Sequence, residues 1–183
     1  MISRKKKKNG LPIILDCEAS GLDAGSYPIE IGIAYENGEQ ESFLLKPEAD
    51  WTHWDIKAEA VHGIKREELV NGKSSYEAIL LLNSQLMDCT VYSDCVDYDA
   101  TWIDRLYGFH KNVYRSFDIK SLFELDDFDH AQFTEEKLIL RKRAIIAENR
   151  AKAEGKIITN KLHRAGFDAK LLQTAYKLSR IKG

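Results

Sequence analysis

Apolar residues along the chain follow two rhythms, short dense runs and longer stretches of helical spacing. Leu11-Pro12-Ile13-Ile14-Leu15 leads into Asp16-Cys17-Glu18, and its length and β-branched content predict a buried strand over 11–18. Two more strands are expected at 28–36 and 40–46, joined by Asn37-Gly38, a pair suited to the positive φ angles of a tight hairpin turn. Short helices follow across 56–70, then a helix over 75–87 and a strand at 90–94. Tyr98, Trp102 and Leu106 recur at four-residue steps, which places one apolar stripe on a helix there. A last strand is expected at 112–117. Residues 132–154 mix Phe133, Leu138, Ile145 and Ile146 with many charges, the pattern of a long helix with a solvated outer face. Residues 168–178 return to helical spacing, with Asp168 opening the helix. Hairpin strands followed by alternating helices and strands predict an α/β domain, a mixed five-stranded sheet flanked by helices.

Composition narrows the class. With 183 residues, 44% of them hydrophobic, the chain can bury a core without disulfides, and one domain over 11–183 is expected. Residues 1–10 carry Arg4-Lys5-Lys6-Lys7-Lys8 and read as a flexible basic tail, with auxiliary phosphate attraction as the other reading. Cys17, Cys89 and Cys95 show no paired spacing, which suits a reducing cytoplasm. No membrane-length apolar segment or cleavage pattern occurs, so a soluble, non-secreted protein with no membrane partner is expected. A balance of 27 basic against 29 acidic residues argues against wrapping a long duplex, and is compatible with gripping a few nucleotides.

Candidate chemistry lies in four carboxylates and one imidazole. Side chains alternate along a strand, so Asp16 and Glu18 point one way and Cys17 the other. Two unpaired carboxylates at ~4 Å repel by roughly 4 kcal/mol under surface-like screening, so a positive partner is expected. An all-oxygen donor set favours magnesium or manganese over zinc. His163 and Asp168, five residues apart, would diverge by roughly 140° on one helix. They converge if His163 lies on the loop entering the helix, with Gly166 easing the bend. In the stretch Asp94-Cys95-Val96-Asp97-Tyr98-Asp99, Asp99 sits beside the apolar stripe, Asp97 suits a helix N-cap, and Asp94 ends the strand before it. Asp99 is favoured as the site carboxylate of this stretch and Asp94 is the next choice.

These motifs resemble the DEDDh 3′-to-5′ exonuclease superfamily, which contains ribonuclease T and the proofreading subunit of bacterial DNA polymerase III. The resemblance is carried by Ile14 to Leu22, Pro28-Ile29-Glu30-Ile31-Gly32, Val61-His62-Gly63-Ile64, Tyr98-Asp99 and His163 to Ala169. The family's usual second motif, His-Asn-Ala-x-Phe-Asp, is here Asp94 to Asp99, which keeps the aromatic-aspartate ending and loses the asparagine. The resemblance implies a ribonuclease H-like fold and release of nucleoside 5′-monophosphates from the 3′ end of single-stranded nucleic acid or a 3′ overhang. It implies two Mg2+ (or Mn2+) ions held by Asp16, Glu18, Asp99 and Asp168, with His163 as general base. Ala19, Ser20, Val61, His62 and Tyr98 become candidate substrate contacts, and a homodimer or polymerase partner is possible by analogy. The alternatives are a nucleic-acid or polymerase-binding module with weak or no catalysis, and a metal hydrolase acting on nucleotides or another phosphodiester.

Overall fold

The computed structural model describes residues 10–125, 128–155 and 161–180. Strands β1 (Ile13–Ala19), β2 (Pro28–Ala34), β3 (Gln40–Leu44), β4 (Thr90–Ser93) and β5 (Asp118–Ser121) form one sheet in the order β3-β2-β1-β4-β5. β1 is central. It runs antiparallel to β2 and parallel to β4, while β3 extends the antiparallel side and β5 the parallel side. Helices α1 (Ile56–His62), α2 (Ser75–Leu86), α3 (Val96–Gly108), α4 (His130–Ala153) and α5 (Ala165–Ser179) complete the α/β architecture.

The two faces of β1 belong to two cores. Ile13, Leu15, Cys17 and Ala19 pack with Ile79 and Leu82 of α2 and Ile103 and Leu106 of α3. Ile14 faces the other way and packs with Phe133 of α4 and Ala169, Leu172 and Ala175 of α5. Because alternation continues along the strand, Asp16 and Glu18 extend the Ile14 face, beneath the helical layer of α4 and α5. Gln173, fully buried, fixes α5 there by donating from Nε2 to the carbonyls of Pro12 at 2.9 Å and Tyr35 at 2.8 Å.

Three local expectations are corrected. The last strand is Asp118–Ser121 and not 112–117. Asn112 has a φ of 72°, and Asn83 takes up the intervening backbone through Tyr114 O and Ser116 N–H, so those peptide groups do not enter the ladder. α5 begins at Ala165 rather than Asp168, so Gly166 is helical and the bend falls at His163, with φ 57°. The residue capping α3 is Cys95, with Asp97 inside the first turn. Ser93 Oγ accepts from the Cys95 N–H at 2.9 Å, so the entry to this helix is held from β4 and not by Asp97.

The long helix expected at 132–154 is α4, capped by Asp129, whose carboxylate accepts from the Gln132 N–H at 2.9 Å. Ile145 and Ile146 lie exposed on it, as its charge density predicts. The basic run at residues 4–8 lies outside the described residues. Among the described residues no helix is long and apolar enough to cross a membrane, and the three cysteines are free.

Candidate active site

Three carboxylates converge where β1 meets α5. Asp16, Glu18 and Asp168 each offer one oxygen, and the three atoms lie within 4.8 Å of one another. Strand alternation supplies the first two. Asp168 arrives because α5 approaches the sheet over Gly32, the β2 partner of Asp16. A Cβ at position 32 would lie 2.0 Å from the Ala165 carbonyl carbon and 2.2 Å from the Gly166 nitrogen, so only glycine admits the first turn of α5 at this depth.

An ion pair between a buried carboxylate and a half-exposed guanidinium fastens the loop before α5. Glu30, 1% exposed, accepts from Arg164 Nε at 2.9 Å and from its terminal nitrogen at 2.7 Å, and also from the Ala165 N–H at 3.0 Å. This fork-to-carboxylate geometry fixes direction as well as position. His163, immediately before Arg164, is half-buried in the cavity wall. Its N–H donates to Asp168 Oδ2 at 2.9 Å. Asp168 Oδ1 is buried and has no hydrogen-bond partner.

Asp99 stands apart from the three-oxygen cluster while lining the same cavity. Its Oδ1 accepts from the Cys17 N–H at 3.1 Å, and its Oδ2 accepts from the Ser93 hydroxyl. Asp94 is turned to α4, where it pairs with Lys137. The two competing aspartates are therefore held by different elements, Asp99 by the central strand and Asp94 by a helix.

Ala19, Val61, His62 and Tyr98 also line this cavity, whose volume is about 640 Å³. Ser20 does not. Its hydroxyl accepts from the Tyr27 N–H and meets His53 Nδ1, both at 3.1 Å, so it braces the turn after β1. His62 ends α1, and Gly63 in the left-handed region terminates that helix. His62 Nδ1 accepts from the Ile64 N–H at 3.0 Å, which assigns the proton of the neutral ring to Nε2. That Nε2 is buried without a partner. Burial holds the His62 pKa below its ordinary value, against the opposing charge of Glu59.

Electrostatically the site is unbalanced. Burial, then the charges of Asp99, Glu18 and Asp168, hold Asp16 well above the usual carboxylate range. Glu18 is pushed up to about 8 by burial and by Asp168 and Glu30. Asp99 is pushed up to about 7 by burial, against the hydrogen bond from Ser93. Burial raises Asp168 as well, with His163 and Arg141 pulling it down. Crowded carboxylates that resist ionisation are stabilised by a cation. An all-oxygen donor set with an orphaned buried oxygen fits a hard divalent ion.

Several of these groups carry no sequence signal. Ser93 looks like an ordinary strand residue, while Glu30 and Arg164 fall inside the motif stretches with nothing in the sequence to pair them. Lys137 and Arg141 are hidden among the charges of α4.

A five-stranded mixed sheet with two carboxylates on its central strand and a third on the helix packed over it defines an α/β domain with an acidic site. The Exonuclease family (RNase T) model matches residues 13–176, and the chain belongs to this exonuclease family of the DEDD superfamily. Membership implies dependence on a divalent metal. Solved structures similar to the chain include E. coli exonuclease I in a zinc-bound complex with single-stranded DNA, at 15% identity and TM-score 0.60, covering 94% of this chain and 41% of that one. The same enzyme with a dA16 oligonucleotide matches at 15% identity and TM-score 0.60, over 95% of this chain and 42% of that one. The Mopeia virus exonuclease domain, partially complexed with manganese, matches at 14% identity and TM-score 0.51, over 95% and 78% respectively. These likenesses show the fold. The chain spans about two fifths of the length of E. coli exonuclease I. No curated protein matches the sequence.

Proposed function

We propose that this chain is a metal-dependent 3′-to-5′ exonuclease that hydrolyses phosphodiester bonds at nucleic-acid 3′ ends and releases nucleoside 5′-monophosphates. The observation that carries the reading is the convergence of Asp16, Glu18 and Asp168 beside a His163 tied by its own N–H to Asp168. Asp16, Glu18 and Asp168, with Asp99 on the same cavity, would hold two Mg2+ (or Mn2+). Such ions, when bound, polarise the phosphoryl oxygen and offset charge on the attacking and leaving oxygens.

The chain's own side chains do the rest. His163 accepts the proton of the attacking water, the role of a general base positioned at the reacting centre. Arg164 and Glu30 hold the His163 loop against β2 and so set where that base stands. Ser93 and the Cys17 N–H fix the Asp99 carboxylate. Val61, Tyr98 and Ala19 offer apolar surface to the terminal base and sugar, and His62 offers its buried Nε2–H. Tyr98 is 43% exposed, so a base can stack on it without its sequence being read. Single-stranded ends or 3′ overhangs fit a cavity of this size. Residues 11–183 act as one domain, and three free cysteines fit the cytoplasm.

The test is digestion of 3′-labelled single-stranded DNA, single-stranded RNA and a duplex with a 3′ overhang, with magnesium or manganese and with chelator. Nucleoside 5′-monophosphates are expected from the 3′ end only when metal is present. Undiminished cleavage after complete metal removal, or products from the 5′ end, would overturn the reading.

A further inference from the structure

Helix α4 packs on the body of the domain through Phe133, which is 2% exposed. Lys137 and Arg141 follow Phe133 at four-residue steps and so share its face. A helix face packed on a domain is ordinarily apolar. Here two cations occupy it, and both line the cavity that contains Asp16, Glu18 and Asp168.

Their surroundings explain little of this in terms of folding. Lys137, with 24% of its side chain exposed, pairs with Asp94. Arg141 Nε is buried and has no hydrogen-bond partner, and an unmet buried donor disfavours the folded state. The charge of Arg141 reaches Asp168. Two cations placed beside an acidic cluster, one of them with an unmet donor, suit a ligand that brings its own anionic oxygens.

We propose that Lys137 and Arg141 form a phosphate subsite for the backbone of the bound strand, an inference that rests on the exonuclease reading of the same cavity. Arg141 donates from its planar guanidinium to non-bridging phosphate oxygens, a geometry that lysine alone cannot reproduce. Lys137 exchanges its Asp94 carboxylate for phosphate when the strand enters. Asp94, where the family's motif differs, thereby holds Lys137 in place in the free protein.

The experiment measures binding of a 5′-fluorescein dT12 probe by anisotropy, in chelator and over a range of salt. Arg141→Gln and Lys137→Gln are each expected to weaken binding by about tenfold or more. Each is also expected to flatten the slope of log affinity against log salt by about 0.7, the single-strand value for one lost phosphate contact. Lys142→Gln, which removes another cation of the same helix that does not line the cavity, leaves the slope unchanged. Equal flattening by all three variants would reduce the effect to general charge and overturn the subsite, as would unchanged slopes or no salt-dependent binding by the wild type. If a glutamine variant fails to fold, wild-type protein is tested with probes carrying one neutral methylphosphonate at each of the three 3′-terminal linkages. At least one position must flatten the slope by about 0.7, and none doing so overturns the subsite. Parallel 3′-end digestion separates the two readings: turnover with unaltered slopes removes the subsite alone, and altered slopes without turnover remove the exonuclease activity alone.

Discussion

Replacing Gly32 by alanine tests whether close approach of α5 to the sheet creates the carboxylate cluster. The added Cβ would sit 2.0 Å from the Ala165 carbonyl carbon, 2.2 Å from the Gly166 nitrogen and 2.3 Å from the Ala165 oxygen, where ordinary contact begins at 3.4 Å. All three are backbone atoms, so no rotamer change relieves the overlap. The start of α5 must retreat by about 1.4 Å to restore contact distance, and a ~1 Å misplacement of a catalytic group can lower a rate by about 10²-fold. Overpacking of this kind costs about 1–3 kcal/mol. Gly32→Ala is therefore expected to lose both stability, by urea unfolding, and kcat on a 3′-labelled oligonucleotide, by about 10²-fold. Gly108→Ala is the control. A Cβ there meets nothing within 4 Å, so stability should hold or rise slightly and kcat should not change. Wild-type stability and turnover in Gly32→Ala would refute the claim that this contact sets the position of Asp168.

His163→Asn keeps a residue type that tolerates the left-handed conformation at φ 57° and removes the base; kcat should fall by about 10²- to 10⁴-fold with the unfolding midpoint unchanged, and near-wild-type turnover would take His163 out of the mechanism. Glu30→Gln breaks the ion pair with the half-exposed Arg164 and should cost about 1 kcal/mol in urea unfolding, with kcat lowered more than KM is raised because Glu30 does not line the cavity; a change confined to KM would argue against a positioning role. In chelator, stability should fall as pH rises from about 4.5 toward 8, because Glu18, raised from 4.5 to about 8, keeps its proton in the folded chain after the unfolded chain has released it. Glu18→Gln should flatten that fall in pH-dependent melts, and saturating magnesium should do the same; a stability that instead rises across this window would contradict the crowding of the carboxylates.

The sequence by itself determined whatever depends on neighbours in the chain. Strand alternation put Asp16 and Glu18 on one face with Ile14, because side-chain direction repeats every two residues wherever a strand forms. Asn37-Gly38 set the hairpin between β2 and β3, and the four-residue spacing of Tyr98, Trp102 and Leu106 marked α3. The same locality misled at β5, where Asp118-Ile119-Lys120-Ser121 carries no apolar run, and at α5, whose first turn is held by a distant carboxylate. Only the tertiary structure decided how the strand and the helix share one site. Gly32 admits α5, Glu30 grips Arg164 from far along the chain, Ser93 and the Cys17 N–H claim Asp99, and α4 turns Lys137 and Arg141 toward the cavity. Periodicity reports which way a side chain points within its own element; the packing of one element on another decides what it meets there.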